Sequence, residues 1–88
     1  MQQQHQANKD RLDQCAMSML QVVQDMQAKG SLWKFYENCR QIWTEMDKEM
    51  VECRRRRRVT HKYTELQAQF DECVKHFEQW IIMAKLMY

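Results

Sequence analysis

Three groups of side chains in this 88-residue sequence have types and spacings that could do chemistry: Cys73-x-x-His76, several carboxylate pairs, and the run Arg54-Arg55-Arg56-Arg57-Arg58. Cys73 and His76 stand about one helical turn apart. They could supply two ligands to a metal ion, or a thiolate–imidazole pair for nucleophilic attack. A closed zinc site needs two further ligands, and Cys39, Cys53 and His61 offer no second pair at comparable spacing. The nucleophilic reading lacks a third, orienting group and a loop to hold an oxyanion. Glu45/Glu49 and Asp71/Glu72 fall on polar faces with partners such as Asp71→Lys75 and Glu72→His76, the pattern of ion pairs on a helix surface. The expectation is therefore no catalytic residue, no metal, no cofactor and no small-molecule substrate. The chain is expected not to be an enzyme.

The arginine run is the strongest local feature. Formal charge sums to 0 over residues 1–30, −2 over 31–53, +6 over 54–62 (Lys62 included) and −2 over 63–88, so a chain of net charge +2 carries one concentrated cationic band. Such a band could contact the phosphates of a nucleic acid, dock on an acidic protein or anionic lipid surface, or direct nuclear import. Five consecutive residues of a helix point in every direction, and no aromatic is interleaved among them to stack on bases. Neutralising Glu45, Glu49 and Glu52, or the acids of a partner, is the plainer role.

Four cysteines, Cys15, Cys39, Cys53 and Cys73, are separated by 23, 13 and 19 residues, which matches no CxxC framework. Reduced thiols buried as small hydrophobes are the expectation. One pairing stands out. If the chain reverses near Arg56, Cys39 and Cys73 lie 17 residues either side of it, both on apolar seam positions, so a disulfide becomes possible in an oxidising compartment.

These groups must be positioned by helices. With one glycine and no proline, hairpin turns, sandwiches and barrels are poorly supplied, and the fold class is all-α. The Gln-rich opening, residues 1–8, reads as a polar, frayed terminus with Asn8 as N-cap. Leu12, Ala16, Met19, Val23 and Met26 recur at 4-3-4-3 spacing, which predicts a helix over about 9–28. Lys29, Gly30 and Ser31 supply a helix stop, a left-handed residue and a fresh cap, so the turn is placed at 29–31. Beyond it, Leu32, Tyr36, Cys39, Trp43, Met46, Met50 and Cys53 keep one heptad frame. Val59, Tyr63, Leu66, Phe70, Cys73, Phe77, Trp80, Ala84 and Met87 keep another, offset by one residue at the arginines.

Two architectures follow. In the first, a helical hairpin carries a continuous second helix of about 57 residues, some 85 Å long, into a coiled coil with another chain. In the second, the helix is interrupted at 54–60, Thr60 caps a third helix, and a compact three-helix bundle forms. Arginine is a good helix former and a poor turn former, so local chemistry favours continuity. On that reading helix 9–28 is too short to cover the far half of the long helix. The seam from Val59 to Met87 is then left for a second copy or a different protein, and the apolar tail Trp80–Tyr88 is buried with it. No stretch reaches the roughly 18 apolar residues of a membrane span.

The functional expectation is a structural protein: a small helical scaffold or accessory subunit that binds protein partners, as a homo-oligomer or within a larger complex. Its rivals are a nucleic-acid-binding module using Arg54–Arg58, and a small subunit of a membrane or organellar complex with Ile81, Ile82 and Met83 near lipid. An intracellular location, in cytoplasm or nucleus, is expected, with a mitochondrial one left open by internal targeting.

Overall fold

The structure is a computed structural model that describes residues 2–87. The described residues form three α-helices and no strand: α1 (Gln2–Val22), α2 (Met26–Arg56) and α3 (His61–Met87). They pack side by side into a bundle with extents of 48 × 18 × 15 Å. The all-α expectation holds, and the architecture is the three-helix alternative. The continuous 57-residue helix does not form.

Each junction has a local cause. α1 stops after Val22, and Asp25, in extended conformation, caps α2 by accepting the Ala28 N–H at 2.8 Å. An aspartate there also suits the positive end of the helix dipole. The turn thus lies at 23–25 and not at 29–31. Gly30 sits inside α2 with open space where a side chain would be, and needs no special conformation. Glycine there marks no turn because Asp25 starts the helix one turn earlier.

The second junction falls inside the arginines. Arg57 takes the left-handed conformation (φ 55°, ψ 35°), with its N–H donated to Arg54 O and that of Arg58 to Cys53 O. This pair of bonds closes a helix as glycine usually does, here with a β-carbon in a conformation that disfavours one. Thr60 then caps α3, its hydroxyl accepting the Tyr63 N–H at 3.2 Å. Local propensity favours a continuous helix. The chain reverses because reversal buries a whole apolar face of α3.

That face is the core. Tyr63, Leu66, Phe70, Val74, Phe77, Ile81 and Ala84 of α3 are buried with Leu32, Cys39, Met46, Met50 and Cys53 of α2, with Leu12 and Met19 of α1, and with Val23 of the turn that follows it. Phe70 and Phe77 are both 0% exposed. The seam assigned to an outside partner is therefore an internal surface, covered by the chain's own helices. Its frame also shifts. Val59, Trp80 and Met87 are exposed, Cys73 is half-buried, and Val74 and Ile81 take their places inside. A heptad frame presumes one neighbour, whereas α3 has two and buries a wider face.

Candidate functional site

Antiparallel packing of α2 and α3 sorts the molecule into two ends. The start of α2 and the end of α3 share one, and the arginine corner lies at the other with the start of α1.

The first end is apolar. Ala28, Leu32 and Phe35 of α2 and Trp80, Met83 and Met87 of α3 line a groove of about 320 Å³. Its floor is aromatic: Phe35 lies parallel to Phe77 at 6.5 Å between ring centroids and tilted against Trp80 at 6.3 Å. Trp80 is 48% exposed, Met87 70% and Met26 77%, an unusual concentration of large apolar surface open to water. Of the predicted seam, only Trp80 and Met87 belong to this end and stay open. Tyr88, counted with the tail in the sequence, lies outside the described residues. Ile81 is buried, and lines a hollow with Arg11 and Cys15 of α1.

The second end is cationic, but the arginines do not act together. Glu52 accepts hydrogen bonds from Arg55 and from Arg56 Nε, the latter at 2.6 Å. The Arg55 contact first, then Arg56, holds the Glu52 carboxyl well below its ordinary range, at about 2. Arg54 turns toward the N-terminus of α1, lining a hollow with Gln2, Gln3 and Asp47. Lys62 lines a different hollow, over Glu45, Glu49 and Glu52 of α2. Arg57 and Arg58 stand at the corner, with no carboxylate within 4 Å among the described residues. The six cations predicted as one patch are thus divided among four surroundings.

Beside the cationic end, the packing makes a polar cluster that the sequence did not signal. His5 is buried, with its ring stacked on Trp43 (centroids 4.3 Å apart, planes 8° apart). Its Nε2 lies 3.1 Å from Asp47 Oδ1 and its Nδ1 3.3 Å from the Tyr63 hydroxyl. With the proton on Nε2, the ring donates to Asp47 and accepts from Tyr63, so one tautomer satisfies both partners. Trp43 Nε1–H donates to the His5 carbonyl at 2.9 Å. Asn8, one turn on, is also buried and exchanges amide hydrogen bonds with Gln67, at 2.7 Å and 3.2 Å. Asn8 is therefore an interior residue of α1 and no cap, and residues 2–8 are packed helix. Their only signal was His5, Asn8 and Leu12 at the same 3–4 spacing as the apolar residues that follow, a pattern hidden because two of the three are polar.

The reversal also brings Cys39 of α2 and Cys73 of α3 together, with Sγ atoms 2.7 Å apart. Cys73 and His76 border one hollow but have different partners. Cys73 points to Cys39, whereas His76 pairs with Glu72 at 3.2 Å on the surface. Among the described residues, no group of three His, Cys, Asp or Glu side chains is placed to hold a metal ion. No helix there is long and apolar enough to cross a membrane.

Comparison with known protein families, curated proteins and solved structures gives no match to this chain.

Proposed function

We propose that the chain is a small, non-enzymatic helical subunit of a larger assembly, and that it binds its protein partner through the apolar groove between α2 and α3. The observation that carries this reading is the open aromatic and methionine surface around Trp80, Met83 and Met87. The core is already complete without these side chains, so folding alone does not account for leaving them in water. The groove suits one or two large apolar side chains, and flexible methionines let it adapt to them. Lys29, Lys34 and Lys85 lie in the segments that border it, against Asp25, Glu37 and Glu78, of which Asp25 caps α2 and Glu78 is engaged by Arg11 and Cys15 of α1. That balance fits an amphipathic helix carrying acidic residues beside its apolar anchors.

A nucleic-acid reading rests on Arg57 and Arg58 at the corner. It is the weaker one, because Arg55 and Arg56 are already satisfied by Glu52.

The test is the size of the native particle. Tagged full-length chain, sedimented from the cells that express it, is expected to travel in a particle larger than the free chain. Trp80→Glu with Met83→Glu is expected to return it to the free chain's size with an unchanged helical circular dichroism spectrum. Free chain in both cases would overturn the proposal. Release by nuclease, or by Arg→Gln changes at Arg54–Arg58 and not by the groove changes, would transfer it to the nucleic-acid reading.

A further inference from the structure

The docking role uses neither of the two sulfurs that meet in the middle of the bundle. We propose that Cys39 and Cys73 are a redox modification site. They form a reversible disulfide tying α2 to α3, made by thiol–disulfide exchange with a small disulfide of the glutathione type. The pair lies 34 positions apart in sequence, and the sulfurs are 2.7 Å apart in the fold. An S–S bond is about 2.05 Å long, so closing it asks for well under an ångström of movement.

Access assigns the order of events. Cys39 is completely buried, whereas Cys73 is half-buried. Cys73 also lines an open hollow with Ile42, Ala68, Gln69, Glu72 and His76. A reagent from solution therefore meets Cys73 first, and Cys39 acts second from behind it. Burial first, and then the contact with Cys73, push the Cys39 thiol up, which keeps it protonated while Cys73 reacts.

The other two thiols are otherwise engaged. Cys15 donates to Glu78 Oε1 at 3.5 Å, and burial together with that carboxylate pushes it up to about 11. Cys53 is buried at the helix corner, 3.5 Å from the Thr60 hydroxyl.

The step balances as follows. The Cys73 thiolate attacks one sulfur of the small disulfide; that S–S bond breaks, and one small thiolate leaves and takes up a proton. The Cys39 sulfur attacks Cys73 Sγ and expels the second small thiolate, which leaves with the proton given up by the Cys39 thiol. Two protein thiols lose two electrons and become one disulfide, while one small disulfide becomes two thiols.

The test uses the purified, folded full-length chain, equilibrated with mixtures of reduced and oxidised glutathione. Free thiols are then counted, and peptides are mapped by mass spectrometry. Two of the four thiols are expected to disappear, with one linked peptide joining Cys39 to Cys73. The bridge closes a long loop, so Tm should rise by about 10 °C or more, and addition of dithiothreitol should reverse the rise. Cys39→Ser should stop the sequence halfway, with glutathione retained on Cys73. Should that variant not fold, the wild-type peptide map decides alone. A link through Cys15 or Cys53, a link between two chains, or a pair still reduced in oxidised glutathione alone would overturn the proposal.

Discussion

His5 shows how one side chain can anchor a helix that its neighbours would not hold. It sits in a Gln-rich segment with little apolar surface of its own, yet its ring covers Trp43 and its two nitrogens meet Asp47 and Tyr63. Burial pushes the Tyr63 phenol up, consistent with an interior hydroxyl that depends on this partner. His5→Ala leaves that hydroxyl unpaired inside the bundle and should cost about 1–3 kcal/mol in denaturant unfolding, against under 0.5 kcal/mol for Gln3→Ala on the exposed face. Glu52 makes a different prediction. Its folded-state carboxyl titrates near 2 against an ordinary 4.5, so the ionised form is favoured by folding. Its contribution is fully present above pH 4.5 and lost as pH falls toward 2. Comparing urea midpoints across that window, Glu52→Gln should flatten the acid limb of the stability profile relative to wild type. Because Glu52 is at the surface, high salt should shrink the difference.

At the scale of the helices, one position inside α2 and one at the corner after it carry changes that would improve them. Gly30 costs α2 backbone entropy without using its freedom, and a β-carbon there meets nothing within 4 Å. Gly30→Ala should therefore stabilise by about 0.5–1 kcal/mol. Arg57 has the opposite problem, a β-carbon in the left-handed region at φ 55°. Arg57→Gly should relieve it for a net gain of about 0.5–1 kcal/mol. Each gain corresponds to a Tm rise of roughly 2–8 °C for a chain of this size. A fall in Tm for Gly30→Ala would mean that the chain turns at 29–31 after all. The two junctions were legible to different degrees. Thr60 has the side chain of a helix cap and serves as one, whereas the cap at Asp25 is masked by Gly30 five residues later, a stronger conventional turn signal. The reversal at Arg57 was hidden for a better reason. Nothing in the local chemistry of arginine requests a left-handed residue, and the conformation is imposed by what the two flanking helices bury.

The whole molecule stands on α3 being enclosed. Phe77 is fully buried beneath Phe35 in a chain whose total stability should be of order 5–10 kcal/mol. Phe77→Ala should remove about 3–5 kcal/mol and bring thermal unfolding close to ambient temperature. If α3 instead waited for an outside partner, the isolated chain would tolerate this change, and its helicity would depend on concentration. Its surface is divided by the same packing. One end is left with Trp80 and Met87 in water and the other with Arg57 and Arg58, because antiparallel helices place the middle of the chain opposite its apolar finish.

Composition and periodicity were enough to specify helices and much of their inward faces, though not the α3 frame, where Val74 and Ile81 lie inside in place of Trp80 and Met87. Leu12, Met19, Cys39, Met46 and Phe70 lie inside as their spacing requires, since a 3.6-residue repeat leaves no other face to bury. They also singled out Cys39 and Cys73 as a pair, conditional on a reversal near Arg56. Whether the chain reversed was not written in any short stretch. Local propensity favours continuity, and the balance is tipped the other way by the area of α3 that α1 and α2 cover together, a quantity that exists only once three helices are in contact. The groove at Trp80 and the division of the arginines follow from that one choice.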